Sequence, residues 1–268
     1  MKYKDSLVVF LILMAPFFAV AQVPSLYEKG IFIDQQDTLR YRIMWPENFD
    51  ATKEYPVVLF LHGAGERGHD NTSQLTHGSS LFTDVGNRND YPAIIIFPQC
   101  PKNDYWSNVK VDRSRSGVKK FRFKKEGTPT KAMDLLLNYL DAMVGKPFIK
   151  KDQIYVVGLS MGGMGTFEIL ARRPNLFAAA MPICGGGNPK SVSNYASNVP
   201  IWAFHGAKDD VVSPVFSIHM IEEIIEKGGT PKFSLYDTAN HNSWDPAFNE
   251  PEFLSWLFSK RRNENIQK

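Results

Sequence analysis

Short apolar runs at residues 57–61, 93–97, 154–157, 177–183, 201–204 and 233–236 recur along this chain, bounded by Gly, Pro or charged residues and separated by helical segments. Runs that are apolar on both faces are the pattern of parallel strands buried between two helix layers. The intervening segments have a helical period. Met133, Leu136, Leu137, Leu140 and Val144 make one stripe, and Ile218, Ile221, Ile224 and Ile225 another. A last helix over residues 251–262, carrying Phe253, Leu254, Trp256, Leu257 and Phe258, is expected to cover a sheet edge. Ahead of these elements, residues 31–33 and 39–45 flank Asp34-Gln35-Gln36-Asp37, a β-hairpin pattern expected at the antiparallel edge. No Pro/Gly/Ser-rich linker divides the 268 residues, so they read as one three-layer α/β domain with a mostly parallel sheet.

The N-terminus is read separately. Lys2 and Lys4 precede an apolar run over residues 7–21 that is broken by Pro16 and ends in Ala19-Val20-Ala21. This is the pattern of a signal peptide over residues 1–21, and the run is shorter than the ~20 residues of a spanning helix. A single catalytic domain over residues 22–268 is then expected outside the cytoplasm, secreted or periplasmic. No Cys follows the cleavage point, so no membrane anchor is expected after cleavage.

Gly158-Leu159-Ser160-Met161-Gly162 follows the run at 154–157 and opens a helical stretch reaching about Arg172. A strand that turns sharply into a helix holds its middle residue strained and exposed at the top of the sheet, with glycines keeping side chains clear. Ser160 is therefore the candidate nucleophile. A serine hydroxyl needs a base, and the base an orienting carboxylate, in the chain order Ser, acid, His. Downstream lie His205, His219 and His241. His205 ends a strand and His219 sits within an amphipathic helix, whereas His241 lies in the loop after the run at 233–236, which makes it the candidate base. The acid belongs just past residues 201–204, where Asp209 and Asp210 compete. For the oxyanion, the residue after the nucleophile, Met161, supplies one backbone N–H. Ala64, in the small-residue loop His62-Gly63-Ala64-Gly65, supplies the other, each donor being worth roughly 3 kcal/mol of barrier. His62 and His205 are read as structural hydrogen-bonding residues.

These motifs, with Glu66-Arg67-Gly68, His205-Gly206-Ala207-Lys208-Asp209 and His241-Asn242-Ser243-Trp244, resemble the α/β-hydrolase superfamily. More closely, the chain is similar to its secreted bacterial phospholipase/carboxylesterase or "predicted peptidase" branch, related to feruloyl and acetylxylan esterases and polyhydroxybutyrate depolymerases. The resemblance spans about residues 30–260. It implies a three-layer α/β-hydrolase fold, no metal or organic cofactor, and an acid at the end of a His-Gly-x-x-Asp pattern, which selects Asp209. In the usual strand order of that fold the strands bearing Cys100 and Cys184 lie three steps apart, about 14 Å, too far for a disulfide.

The implied activity is hydrolysis of carboxylic esters through an acyl-enzyme, on acetyl or hydroxycinnamoyl groups carried by carbohydrate. A secreted serine peptidase of the prolyl-oligopeptidase type is the competing class. Tyr105, Trp106 and Trp244 are expected at the active-site rim, where they either stack on substrate or pack the loops. Glu66 and Arg67 either contact substrate or form a surface ion pair. The formal charge of +3 is too small for nucleic acid to be the main ligand. Residues 110–126 depart from this balance, with Lys110, Arg113, Arg115, Lys119, Lys120, Arg122, Lys124 and Lys125 against Asp112 and Glu126. They lie at the carboxyl ends of the strands, the ligand-binding side of a parallel sheet, and read either as a solvated loop or as a surface that attracts an acidic polysaccharide. The partner expected is a small-molecule or oligosaccharide ester, and the oligomeric state is left open.

Overall fold

The computed structural model describes residues 25–113, 119–124 and 127–262. The leader expected over residues 1–21 lies outside these, as do residues 114–118 and 125–126 of the basic segment.

An eight-stranded sheet runs through the molecule. Its strands are β1 (Glu28–Asp34), β2 (Asp37–Met44), β3 (Tyr55–Leu61), β4 (Ile94–Gln99), β7 (Ile149–Leu159), β8 (Ala179–Ile183), β9 (Trp202–Gly206) and β10 (Lys232–Tyr236). The spatial order is β1-β2-β4-β3-β7-β8-β9-β10. β1 and β2 form the expected hairpin, and β2 pairs antiparallel with β4. From β4 to β10 every neighbouring pair is parallel. The three-layer α/β-hydrolase architecture is thus present. Alternation along β3 builds both faces: Val57, Leu59 and Leu61 join one core cluster, Val58 and Phe60 the other.

The first cluster is closed by α3 (Lys131–Val144), α4 (Met161–Arg172) and α5 (Val215–Glu226), which insert Met133, Leu136, Phe167, Met220 and Ile224. The second is closed by the short α1 (Ser79–Thr83), α6 (Trp244–Phe248) and α7 (Phe253–Phe258), through Phe82, Ala247, Phe253 and Leu257. Helix α2 (Val85–Asp90) follows α1 directly.

The structure revises three details. The stripe of α5 that meets the core is Ser217, Met220, Ile221 and Ile224, while Ile218 and Ile225 are exposed. The last helix is α7, ending at Phe258 rather than reaching residue 262. Most consequential for function, the basic segment is not a loop where it is described. Strands β5 (Val109–Arg113) and β6 (Lys119–Phe123) pair antiparallel as a separate two-stranded sheet. Phe121 is buried against Met164 and Val212, and Val109, Val111, Phe123 and Phe216 pack around them. In a strand successive side chains alternate, so Lys110, Lys120 and Arg122 take the opposite face of this hairpin.

Cys100 and Cys184 are both buried and unbridged, and the strands they follow, β4 and β8, are three steps apart in the sheet. Among the described residues no helix is long and apolar enough to cross a membrane.

Candidate active site

Strand β7 ends at Leu159, and Ser160 turns the chain into α4 with φ 54° and ψ −115°. For a residue with a Cβ this left-handed region is strained, and it persists because both flanks are fixed. The Ser160 N–H donates to Ile183 O at 2.8 Å, and Ser160 O accepts from Met164 N–H at 3.0 Å. The flanking glycines are required by close approach rather than by φ: a Cβ on Gly162 would lie 1.8 Å from Leu61 O, and one on Gly158 2.2 Å from Gly162 O.

Ser160 Oγ lies 2.9 Å from His241 Nε2, and His241 Nδ1 lies 2.8 Å from Asp209 Oδ2. Asp209 is buried while Asp210 is exposed, so the structure brings Asp209 to the imidazole and leaves Asp210 in solvent. Burial alone would raise the Asp209 pKa. Hydrogen bonds from His205, His241 and the Val212 N–H outweigh it and hold this carboxyl well below the ordinary carboxylate range. Because a carboxylate only accepts, the Nδ1–H of His241 points to Asp209 and Nε2 is left to accept the Ser160 hydroxyl proton.

His205 makes the carboxylate rigid. Its Nε2–H faces Asp209 Oδ2 at 3.1 Å and Val212 O at 2.9 Å, and its Nδ1 faces Ser217 Oγ at 2.7 Å. Asp209 Oδ1 accepts from the N–H groups of Val211 and Val212, both at 2.9 Å. His219 is exposed on α5.

Met161 is the first residue of α4, where an amide has no intrahelical acceptor. Ala64 opens a 3-10 turn at Ala64–Glu66, so its amide lacks a partner inside that turn as well. The loop carrying Ala64 is anchored by His62, whose Nδ1–H donates to Gly63 O at 2.6 Å while Nε2 accepts the Cys100 N–H at 3.0 Å. Burial pushes His62 down to about 4, against the raising effect of its Gly63 bond, so the imidazole is neutral at pH 7.

The rim differs from expectation at Trp106. This ring is wholly buried, packed edge-on to His62 at 5.5 Å and seated over Gly165 of α4, where a Cβ would come within 2.5 Å of Trp106 Cβ. It is core packing, and its face is closed to ligands. Trp244 is half-buried and stands edge-on to His241 at 5.5 Å. Glu66 and Arg67 do not pair with each other. The Glu66 carboxylate is 3.8 Å from His77 Nε2, and the His77 ring lies 5.1 Å from that of Trp244. His77, which the sequence motifs did not flag, therefore bridges the Ala64 loop and the His241 loop. Arg67 donates to the carbonyls of Ala64 at 3.0 Å and Asp104 at 3.1 Å, and lies over the Tyr105 ring. A pocket of about 440 Å³ lined by Ala64, Arg67, Tyr105, Asn108, Val109 and Val111 opens at the candidate oxyanion donor Ala64.

Cys184, Asp209 and His241 place possible metal-ligand atoms within 4.8 Å of one another. A metal there would displace the proton that His241 shares with Asp209. Burial, and then the charge of Asp209, push the Cys184 thiol up, so it does not ionise readily. The arrangement fits a hydrogen-bonded relay better than a metal centre.

The esterase family model matches residues 35–251 of this chain. The bifunctional acetylxylan esterase/xylanase XynS20E of Neocallimastix patriciarum is 27% identical over 158 residues, 59% of this chain and 20% of that protein. An uncharacterized secreted protein of Arthroderma benhamiae is 22% identical over 242 residues, covering 77% of this chain and 23% of its own length. The chain thus spans about a fifth to a quarter of the curated relatives it matches. The crystal structure of a thermostable esterase superposes with a TM-score of 0.78 at 32% identity, over 88% of this chain and 63% of that one.

Proposed function

This chain belongs to the esterase family, and from that premise we propose that it hydrolyses carboxylic esters through an acyl-enzyme at Ser160. The observation that carries the reading is the hydrogen-bonded sequence Ser160 Oγ, His241, Asp209, at 2.9 and 2.8 Å. In the first step Ser160 Oγ attacks the ester carbonyl carbon and its proton passes to His241 Nε2. The carbonyl oxygen becomes an oxyanion held by the Ala64 and Met161 amides, and Asp209 stabilises the imidazolium. As the tetrahedral intermediate collapses, the C–O bond to the alcohol breaks and His241 returns the proton to the leaving oxygen. Water, deprotonated by the same imidazole, then attacks the acyl carbon; the bond to Ser160 Oγ breaks, His241 returns the proton to that oxygen, and the carboxylic acid leaves.

The substrates proposed are acetyl or hydroxycinnamoyl esters on carbohydrate, met outside the cell after removal of residues 1–21. Similarity to an acetylxylan esterase and to a secreted protein supports this choice. The test is turnover of p-nitrophenyl acetate by purified protein, then a panel of acetyl, feruloyl, longer-chain and aminoacyl substrates. The reading requires ester turnover that Ser160→Ala and His241→Ala each abolish. Cleavage of aminoacyl amides with negligible ester turnover would transfer the chain to the peptidases.

A further inference from the structure

Away from the Ser160 site, a cleft of about 470 Å³ opens between the later turns of α4, the start of α3 and the 3-10 turn Pro189–Asn194. Lys124, Asp134, Phe167, Glu168, Arg172 and Lys190 line it. Its charges are unevenly satisfied. Arg172 is paired with Glu168 at 2.6 Å, and Arg173, also at the cleft, with Asp141 at 2.8 Å. Lys124 and Lys190 have no carboxylate within ion-pair distance among the described residues, and both are exposed. Asp134 is likewise exposed with no ion pair among the described residues, so four cations (Lys124, Arg172, Arg173 and Lys190) against two carboxylates (Asp134 and Glu168) leave the lining with a modest excess of positive charge.

Its position relates it to the reaction. Helix α4 begins beside Ser160, and Phe167 to Arg172 lie roughly 10–18 Å farther along its axis at 1.5 Å per residue. The β5–β6 hairpin joins the two regions. Lys124 directly follows β6, and the outward face of the hairpin carries Lys110, Lys120 and Arg122 with Asp112 among them; Asp112 pairs with Lys110 and Arg122, which leaves Lys120 to extend the positive charge of Lys124. Val109 and Val111 on the opposite face wall the pocket that contains Ala64. The base of the hairpin is pinned by Lys124 N–H to Asn108 O at 3.0 Å and by Asn188 Nδ2 to Phe123 O at 3.3 Å.

We infer that this cleft and the outer face of the hairpin bind an anionic polysaccharide, with uronate carboxylates facing Lys124 and Lys190, and so hold an acylated chain while a neighbouring ester reaches Ser160. The inference rests on the esterase reading for its substrate, but the binding step is separate from it. A polymer spanning cleft and pocket would be retained by several weak charged contacts, each sensitive to salt.

The test measures binding of the full chain to polygalacturonate, which has no ester to cleave, by affinity electrophoresis. Neutral xylan and double-stranded DNA run in parallel. The wild type is expected to be retarded by polygalacturonate and not by xylan, with retardation lost on adding salt. The double variant Lys124→Glu/Lys190→Glu is expected to bind about tenfold more weakly, with an unchanged melting temperature and unchanged p-nitrophenyl acetate turnover. Equal retardation of the wild type and the double variant, equal binding of xylan, or stronger binding of DNA would each overturn the inference. Absence of p-nitrophenyl acetate turnover in the wild type would instead count against the esterase reading and leave the binding result to stand or fall by itself.

Discussion

His205 and His241 converge on one oxygen: Asp209 Oδ2 lies 3.1 Å from His205 Nε2 and 2.8 Å from His241 Nδ1. The buried histidine at the end of β9 thus aims the carboxylate that orients His241. Replacing His205 with Ala removes that bond and leaves Ser217 without its imidazole partner. The expected result is a fall in kcat of about tenfold or more with little change in KM, and a stability loss of about 1–3 kcal/mol. Steady-state kinetics and a urea melt on the same preparation separate the two effects.

The adjacent carboxylates make a sharper contrast. Asp209→Asn keeps the shape but lets the imidazole take the wrong tautomer, so kcat is expected to fall by about 10⁴. Asp210 is exposed, and its Asn variant is expected to stay within about twofold of wild type. A larger loss in Asp210→Asn than in Asp209→Asn would reverse the assignment.

His77 ties Glu66, in the loop of the candidate oxyanion donor Ala64, to Trp244 beside the candidate base. Its removal in His77→Ala is expected to lower kcat about threefold to tenfold while leaving the melting temperature nearly unchanged, because the side chain is part-exposed. Unchanged kcat would show that the two loops hold their positions without it.

The pH dependence of stability carries a signature of His62. In the unfolded chain this imidazole titrates near 6.5, whereas burial lowers it to about 4 in the fold. Between those values the unfolded state binds the extra proton. The contribution is full above pH 6.5, is lost as pH falls from 6.5 to 4, and amounts to roughly 3 kcal/mol. Denaturant melts across this window are expected to show a smaller decline in His62→Asn than in the wild type.

Gly162→Ala tests the backbone geometry of the turn. With the added methyl 1.8 Å from Leu61 O, strand β3 and helix α4 cannot both hold their places. A fall in melting temperature of about 10 °C or loss of soluble protein is expected.

Much of this architecture was legible from the chain alone. The doubly apolar strands and the glycine-flanked Ser160 report backbone burial and close approach directly, and both obey short-range rules. Asp209 was separated from Asp210 only by resemblance; the structure adds the physical reason, the anchoring of one carboxylate by His205 and the Val211 and Val212 amides. What stayed hidden depends on contacts between distant residues. Trp106 looked like a rim aromatic because nothing local shows that Gly165 opens a slot for it. The charges of the basic segment masked the alternation of Val109, Val111, Phe121 and Phe123 that makes it a hairpin. His77 lies in no motif, and its role arises only where three loops meet.

The claim on which all of this depends is that Ser160 is an activated nucleophile, and mass mapping after treatment with a fluorophosphonate tests it most directly. One adduct per chain on the peptide containing Ser160, absent from folded Ser160→Ala, is the predicted result. A folded wild type that forms no adduct, or forms it on another residue, would contradict the account.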